Sequence, residues 1–389
     1  MKIVHICIGE HYVDNFGYQE NYLPKVHKQL GLDVEILAST ETIKDGKLYY
    51  LSPSEYLTSD NIRIVRLPYV TWLPKFFARK LRICVGLYKM LKKCSPDIIF
   101  VHCACTLEMY TLRKYMRNHK NVRLYIDSHN DYINSAKTWF SMNVLHKIIY
   151  RNCYKIIEPY VVKFWGTLPL RCAFLIDVYK MPHKKVDFLP QGMLLNENDV
   201  RKRNTIRKQK RLENSIGVDD FVIVTGGKLT KKKNFHLLLD AFYRFKKADA
   251  KLYIFGSICE DVKADFEKYS KLDSRIIYVG WVSNENIYPN FVVGDLCMFP
   301  GLHSALWEQA VASGLPCVFK KMENITQIDL KGNCIFLNDV TSNEILIILN
   351  KLYNDRSQLE NMRFIAESKG YEMFSYEKIG KRAIQMTEI

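Results

Sequence analysis

Two strand-to-helix turns in the carboxyl half carry residues suited to binding a phosphorylated ligand. The first, at 226–234, reads Gly-Gly-Lys-Leu-Thr-Lys-Lys-Lys-Asn and follows an apolar run typical of a buried strand. Gly226 and Gly227 would let the backbone approach a ligand, and Lys228 and Lys233 would neutralise its oxygens. Lysines are unfavourable at a helix amino terminus because the macrodipole is positive there, and a bound diphosphate would reverse the sign. The alternative is a solvated basic turn.

The second turn precedes an amphipathic helix that the sequence predicts to run to Gly314. Ser304 could cap this helix. The backbone N–H groups that would face a phosphate are those of Ser304, Ala305 and Leu306. Glu308 lies one turn deeper on the same face, where its carboxylate could accept hydrogen bonds from ribose hydroxyls. The alternative is that Glu308 only favours the positive end of its helix. Two anion sites at turns of the same half indicate one nucleoside-diphosphate ligand.

The amino half offers a third group of polar residues. Asp127, His129 and Asp131 alternate at the end of a predicted strand, which would point them to one side. His129 could donate to a transferred sugar or diphosphate while Asp127 orients its ring; capping of a turn is the alternative. Nearby His102 and Cys103 face opposite ways on a strand, and no distant pair completes a site, so we expect no metal.

The elements that position these residues alternate between short β-rich runs and longer segments of helical period. The strands predicted in the first series are 2–8, 34–40, 62–67, 97–102, 123–129 and 185–190. Those of the second are 221–227, 251–257, 275–281, 295–301, 315–321 and 334–338. Buried strands with long connections indicate parallel sheets with crossover helices. We therefore predict an α/β protein of two tandem Rossmann-like, doubly wound domains facing a cleft. The charged stretch 199–214 reads as a solvated helix or linker.

Composition limits the class of protein. The chain has 389 residues, 48% hydrophobic and 25% charged, which suits two hydrophobic cores. With 57 Lys plus Arg against 41 Asp plus Glu, the net charge of +16 would attract polyanions. Eleven cysteines without a Cys-x-x-Cys pair are typical of reduced thiols in a cytoplasmic protein. No apolar run is long enough for a membrane-spanning helix, so any membrane contact is expected to be peripheral.

These residues resemble a known family. The carboxyl half is similar to the nucleotide-sugar-binding domain of the GT-B glycosyltransferases, most closely the retaining family four. Gly227-Lys228-Leu229 with Lys233 matches that family's Gly-Arg-Leu…Lys signature, with lysine in place of arginine. Trp307-Glu308-Gln309-Ala310 followed by Ser313-Gly314-Leu315-Pro316 matches its glutamate helix. Pro300 stands where the family has a first glutamate that positions the donor sugar, and His303 is the nearest polar candidate for that role. Similar segments occur among capsule and exopolysaccharide transferases.

The resemblance extends over nearly the whole chain. The loop with Gly17, Tyr18 and Gln19 looks like the family's loop that closes over the diphosphate and faces the acceptor, and 123–134 looks like the strand that presents a histidine to the reaction centre. The resemblance places an acceptor domain at 1–192, a donor domain at 193–370, and a closing helix at 371–389 that returns to the first domain. Gly17 would bind the donor; Tyr18, Gln19 and Asp127 would lie on the acceptor side.

The resemblance implies a hexosyltransferase that moves a sugar from a nucleoside diphosphate sugar, with UDP favoured, to a saccharide acceptor that is lipid-linked in surface polysaccharide biosynthesis. It implies retention of anomeric configuration and no metal, since fixed positive charge replaces it. The residues expected to carry catalysis are His129, Lys228, Lys233 and Glu308. The alternatives are a sugar-nucleotide epimerase of the same fold and a basic nucleic-acid-binding protein; no nucleic-acid-binding motif favours the latter.

A helical pattern at 75–93 has an apolar stripe and a basic stripe. We interpret it as a crossover helix packed on the sheet. Its basic face, with Trp72 and Phe76, could still lie against anionic headgroups at the inner face of the membrane.

Overall fold

The computed structural model describes residues 1–44, 47–133 and 135–386 and divides the chain into two compact units. Unit 1 comprises Met1–Pro190 and Ile379–Ile389, and unit 2 comprises Gln191–Lys378. The sequence placed the first boundary at 192 and the return to the first domain near 370. The last helix is Tyr376–Ala383, after a separate helix at Arg356–Phe374, so the predicted closing helix 371–389 is two segments. Its residues 387–389 lie outside the described residues.

Unit 1 contains a sheet of eight strands within the described residues. The order across the sheet is β10-β9-β8-β7-β1-β2-β6-β5, and every pairing is parallel except that of β5 with β6. A separate antiparallel pair joins β3 and β4. The strands are β1 (Lys2–Cys7), β2 (Asp33–Ser39), β3 (Glu41–Lys44), β4 (Lys47–Tyr50), β5 (Ser54–Leu57), β6 (Arg63–Leu67), β7 (Ile98–His102), β8 (Arg123–Ser128), β9 (Val161–Gly166) and β10 (Val186–Phe188).

Unit 2 contains a six-stranded sheet among its described residues, and all its pairings are parallel. The order is β13-β12-β11-β14-β15-β16. The strands are β11 (Phe221–Leu229), β12 (Ala250–Ile258), β13 (Ile276–Tyr278), β14 (Leu296–Phe299), β15 (Cys317–Lys320) and β16 (Cys334–Leu337). Strand order reverses between β11 and β14, and ligands bind parallel sheets at such a point, beyond the carboxyl ends of the strands.

Helices cover both sheets. Their bounds are α1 (Gln19–Gln29), α2 (Lys75–Lys80), α3 (Leu87–Cys94), α4 (Glu108–Asn118), a π-helix (Ser141–Tyr150), α5 (Arg151–Ile157), α6 (Pro169–Asp177), α7 (Glu197–Arg201), α8 (Arg203–Glu213), α9 (Phe235–Arg244), α10 (Glu260–Leu272), α11 (Ile287–Val292), α12 (Leu306–Ala312), α13 (Ser342–Asn354), α14 (Arg356–Phe374) and α15 (Tyr376–Ala383). Central strands such as β7 and β14 are buried along their full length, as expected for strands covered on both faces. The predicted α/β fold with two Rossmann-like sheets is confirmed.

The single helix predicted at 75–93 is wrong. The chain forms α2 and α3 with a break at 81–86, where Gly86 has φ of +97°. The break arises because Cys84 forms a β-bridge with Tyr69, and the flanking N–H and C=O groups bond across the same contact. The predicted apolar and basic stripes are therefore divided between two short helices.

The charged stretch 199–214 is helical, which was one of its two predicted readings, and one face of it is exposed, but it is not a linker. Its helix α8 is anchored to the rest of unit 2 by arginines: Arg207 donates to Asp295 at 2.7 Å, and Arg211 donates to the same carboxylate at 2.8 Å. Arg363 adds a third contact at 3.0 Å. The arginines also bond backbone carbonyls, including that of Val293 after α11, where helix carbonyls lack intrahelical partners. The arginines of α8 therefore fix this helix to the rest of unit 2.

Among the residues that the structure describes, no helix combines the length and apolar character needed to cross a bilayer.

Candidate functional site

A cavity of about 110 Å³ opens in unit 2 beyond the carboxyl ends of β11 and β14. Its polar wall is formed by Thr225, Lys228, Lys233 and Ser304, and much of the rest is apolar, including Trp307. The structure thus brings together the two turns that the sequence selected independently. Pro300, which stands in place of the resembled family's first glutamate, also lines this cavity.

The two turns are held together by contacts that the sequence analysis missed. The side-chain amide of Asn234 donates to the carbonyl of Pro300 at 2.8 Å. Gly301 packs so closely on the backbone of Lys233 that a Cβ would lie 2.2 Å from its Cα. The Thr230 hydroxyl accepts from the Lys233 N–H at 3.2 Å, so the lysine run forms an ordered 3₁₀ turn. The basic turn is therefore a fixed part of the cavity wall.

The lysines of the run have different environments. Lys228 lines the cavity and is exposed to solvent. Lys231 and Lys232 are exposed in the turn. Lys233 is part buried, and its ammonium donates to the backbone carbonyls of Leu302 and His303, the latter at 3.2 Å. Burial lowers the pKa of Lys233. A partly desolvated ammonium beside a cavity is suited to binding an anion, because its charge is less screened there than in water.

Both predicted glycines are required at the end of β11. A Cβ on Gly226 would lie 2.5 Å from the ring of Phe255, and Gly227 has φ of +95°. A Cβ on Gly227 would also lie 2.5 Å from Leu306, which lines the cavity. These glycines therefore allow the strand end to pack against both its neighbour and the second turn.

The predicted capping by Ser304 is wrong. Among the described residues, α12 has no side-chain cap; Ala305 occupies the N-cap position with helical torsion angles. The backbone carbonyl of Ser304, and not its hydroxyl, accepts from the N–H of Trp307 at 2.9 Å. The helix also ends at Ala312, short of the predicted Gly314. Ser304 is nevertheless on the cavity wall.

Glu308 lies apart from the cavity surface and is buried, with 1% of its side chain exposed. The His303 ring bonds it at 2.8 Å, and the side-chain amide of Gln327 donates to it at 2.8 Å. Burial works to raise the pKa of Glu308, but His303 and Gln327 outweigh it, so this pKa lies below its usual range. Because the backbone carbonyl of His303 holds the Lys233 ammonium, a continuous polar path joins Glu308 to the cavity wall. Glu308 is thus placed to orient His303, a more indirect position than the sequence predicted.

In unit 1 the structure brings Gln19 and Asp127 together. Asp127 is fully buried at the end of β8, and its Oδ2 accepts from the Gln19 amide at 3.1 Å and from the His102 ring at 2.9 Å. Its Oδ1 accepts from the N–H of Cys103 at 3.2 Å. Burial would raise the pKa of Asp127, but His102 and His129 hold it well below its usual range. Asp127 is therefore a buried, ionised carboxylate.

His129 follows β8 and lies between two carboxylates. Its Nε2 is 3.6 Å from Asp127 and 3.6 Å from Glu20, which the sequence analysis missed. Burial would lower the pKa of His129, but Asp127 and Glu20 outweigh it and raise this pKa to about 9. His129 is thus cationic at neutral pH. Its Nε2 is buried and lies beyond hydrogen-bond distance of both oxygens, so this nitrogen has no hydrogen-bond partner among the described residues.

The other residues predicted for this site are Asp131, Tyr18 and Gly17, and the structure gives each a different environment. Asp131 pairs with Arg171 at 3.2 Å, so the predicted alternation holds for Asp127 and His129 only, because β8 ends at Ser128. Tyr18 precedes α1 with an exposed ring, 4.6 Å from that of Phe16. Gly17 lies part buried in the same loop.

The match to known families falls on unit 2. Residues 220–355 match the family described as "Glycosyl transferases group 1", a segment that contains the cavity, Lys228, Lys233 and Glu308. No curated protein matches the sequence. The match indicates a glycosyltransferase, and the matched segment lies within unit 2.

Solved structures of the same fold cover the whole chain. HepE from Anabaena, in complex with UDP and glucose, is 13% identical with a TM-score of 0.61, covering 99% of this chain and 98% of that one. WaaG, a glycosyltransferase involved in lipopolysaccharide biosynthesis, is 12% identical with a TM-score of 0.60, covering 99% and 100%. UDP-GlcNAc 2-epimerase from Neisseria meningitidis is 12% identical with a TM-score of 0.59, covering 100% of both chains. The fold is that of the GT-B glycosyltransferases.

Proposed function

We propose that this glycosyltransferase moves a hexose from a UDP-sugar to a saccharide acceptor in surface polysaccharide synthesis, with retention of anomeric configuration. The observation that carries the proposal is the cavity of unit 2, where two lysines meet at the carboxyl ends of neighbouring parallel strands. The UDP bound in HepE and the role of WaaG in lipopolysaccharide synthesis support the choice of donor and pathway class.

Lys228 and Lys233 stabilise the departing diphosphate in this proposal. The bond between the anomeric carbon and the diphosphate oxygen breaks, and the diphosphate keeps the electron pair. An acceptor hydroxyl oxygen then bonds the anomeric carbon on the face that the diphosphate leaves, and its proton passes to a phosphate oxygen. Because two ammonium groups supply the positive charge, the step needs no metal. Glu308 acts through His303, which it holds beside Lys233.

In unit 1, we assign His129 as a cationic donor to the transferred sugar or its diphosphate. The ring is held between Asp127 and Glu20 at 3.6 Å from each, and its buried Nε2 has no hydrogen-bond partner among the described residues. Gln19 completes the arrangement by fixing Asp127 from the loop before α1. Gly17 and Tyr18 of that loop are proposed contacts for donor and acceptor, respectively.

The test of this function is the product formed from a UDP-sugar panel that begins with UDP-glucose, with and without saccharide acceptors. Proton NMR of the anomeric signals should show a glycoside with the donor's configuration, together with free UDP. An inverted glycoside would contradict retention. A UDP-sugar epimer formed without any transfer product would instead indicate an epimerase.

We further propose that unit 1 binds anionic membranes, which would give access to a lipid-linked acceptor. Trp72 is 74% exposed and Phe76 is 69% exposed, and the exposed Lys75 and Lys80 lie on the same short helix as Phe76. Exposed aromatic rings beside lysines are suited to the interface of an anionic bilayer.

Flotation with phosphatidylglycerol vesicles tests this surface. The wild type should float, and the Trp72→Ser, Phe76→Ser double variant should lose about tenfold in vesicle affinity because two interfacial rings are removed. Trp281→Ser is the matched control, since Trp281 is also 74% exposed but belongs to unit 2. Equal flotation of all three proteins, or none by the wild type, would refute the membrane surface.

A further inference from the structure

Three fully buried histidines form a continuous hydrogen-bonded chain in unit 1. His102 Nδ1 bonds Asp127 Oδ2 at 2.9 Å, and His102 Nε2 bonds His5 Nδ1 at 3.1 Å. His5 Nε2 bonds His27 Nδ1 at 3.0 Å, and His27 Nε2 bonds the carbonyl of Gly380 at 3.0 Å. The three rings are buried completely. The planes of His5 and His102 are inclined by 19° and those of His5 and His27 by 29°, with the ring centroids 5.3 and 5.1 Å apart.

Counting protons fixes the charge of this chain. Both ends are acceptors: Asp127 presents a carboxylate oxygen and Gly380 a carbonyl oxygen. Each of the four bonds needs one proton, but three neutral imidazoles supply only three. With three protons, one contact would place two lone pairs face to face in a buried site, which is costly. The geometry therefore calls for a fourth proton.

The fourth proton belongs on His102. Asp127 accepts from Gln19, from Cys103 and from His102, so its oxygens act as those of a carboxylate and not of an acid. Burial lowers the pKa of His27 to about 4, and burial lowers that of His5 as well, so these two rings are neutral. Glu20 and His129 are charged groups at this same end of the histidine chain. His102 is then the imidazolium, paired directly with its counter-ion.

We propose that His102, His5 and His27 hold one stored proton and act as positioning residues that fix the Asp127 carboxylate beside His129. In this arrangement His5 and His27 are both protonated at Nε2 only, and His102 carries a proton on each nitrogen. The far end of the histidine chain is the Gly380 carbonyl, which lies in the last turn of α15 and can accept the imidazole N–H through a free lone pair. The histidine chain therefore also connects α15 to α1, the helix that carries His27.

Close packing at Gly380 supports this tie. A Cβ at Gly380 would lie 2.6 Å from the Val26 side chain, so glycine lets α15 approach the helix of His27. Two neighbouring carbonyls of the same terminus are bound in the same way: Ala383 accepts from the Trp165 ring N–H and Ile384 from the Tyr125 hydroxyl, each at 2.9 Å. The histidine chain thus contacts the same helix end as the Trp165 and Tyr125 side chains.

The direct test is the protonation state of each histidine ring in the whole protein. It is read from long-range ¹H–¹⁵N NMR spectra recorded at pH 7.5 on protein whose histidines are labelled with ¹⁵N. The wild type should show His102 as imidazolium and His5 and His27 as neutral Nε2–H tautomers. Three neutral rings, or an Nδ1–H tautomer at His5, would overturn the proposal without any variant.

Two substitutions of His27 distinguish a requirement for the fourth proton from an effect on packing. His27→Phe removes the link to Gly380, so His102 and His5 need only two protons for their two bonds, and the His102 imidazolium signal should disappear. His27→Gln presents an amide acceptor and donor spaced like the two ring nitrogens, so the imidazolium should remain. His146→Phe, which removes a buried histidine outside the chain, should leave the His102 signal unchanged. Retention of the imidazolium in His27→Phe would contradict the stored proton.

The link to catalysis rests on the proposed function and has its own readout. His27→Phe should lower kcat about tenfold with an unchanged KM for the donor, and His27→Gln should restore it. An unchanged kcat in His27→Phe, with the imidazolium lost, would overturn the positioning role while leaving the stored proton in place. Absence of transferase activity in the wild type would count against the proposed function and not against the NMR result.

Discussion

Replacing Lys233 by alanine is expected to lower kcat about 100- to 1000-fold at saturating donor, the range seen when one preorganised charge-stabilising donor is removed. Its ammonium is part buried and held at the carbonyls of Leu302 and His303 on the cavity wall. The negative charge that develops on the departing diphosphate would lose its fixed, poorly screened partner. The measurement is the initial rate of UDP release.

Lys232→Ala is the matched control for this experiment. Lys232 belongs to the same 3₁₀ turn but is exposed, so the same change in net charge should alter kcat less than about threefold, as screened surface charges do. Near-normal turnover by Lys233→Ala would contradict the assignment. A similar loss in both variants would indicate a general effect of charge and not of this ammonium.

Asp295→Ala is expected to cost about 3–5 kcal/mol in the free energy of unfolding, the range for breaking a buried ion pair. One carboxylate pairs with Arg207, Arg211 and Arg363 and also accepts the N–H of Val222. Burial works to raise the pKa of Asp295, but these arginines outweigh it and hold the pKa below its usual range. Alanine would leave partly buried guanidinium groups without a counter-ion.

Urea unfolding followed by tryptophan fluorescence measures this loss, and Glu367→Ala provides the comparison. Glu367 pairs with Arg203 at 3.2 Å, but its side chain is 46% exposed, so its removal should cost less than about 1 kcal/mol. If Asp295→Ala proved as mild as Glu367→Ala, α8 would not depend on Asp295 for its position on unit 2.

The fold was largely predictable because buried parallel strands are short apolar runs that stand out from their flanking segments. The strands missed are the exceptions to that pattern. β9 has the sequence VVKFWG, which includes Lys163, and it follows directly on a helical segment. β3, β4 and β5 contain polar residues and form antiparallel pairings. The break at 81–86 was missed because a β-bridge to Tyr69 overrides a helical pattern.

The candidate site was predictable in its residue types and less so in its contacts. Gly226, Lys228 and Lys233 could be found because they follow a strand, and the structure places them together. The partners that fix them come from distant sequence: Gln327 bonds Glu308, and Gly301 packs on Lys233. A single sequence carries no signal for such pairs. The histidine chain was hidden for the same reason, since its members are up to 97 residues apart.

The most direct measurement is the melting temperature of the wild type with UDP, GDP, ADP and CMP, beside a Lys228→Ala, Lys233→Ala double variant. A matched Lys231→Ala, Lys232→Ala variant removes the same charge from exposed positions of the same run. A ligand that binds only the folded state stabilises it, and at a concentration of about 100 Kd the melting temperature should rise by about 5 °C. We expect UDP to produce this rise in the wild type and in the matched variant but not in the Lys228→Ala, Lys233→Ala variant. No rise with any nucleotide, or the same rise in all three proteins, would contradict a donor site in the cavity of unit 2.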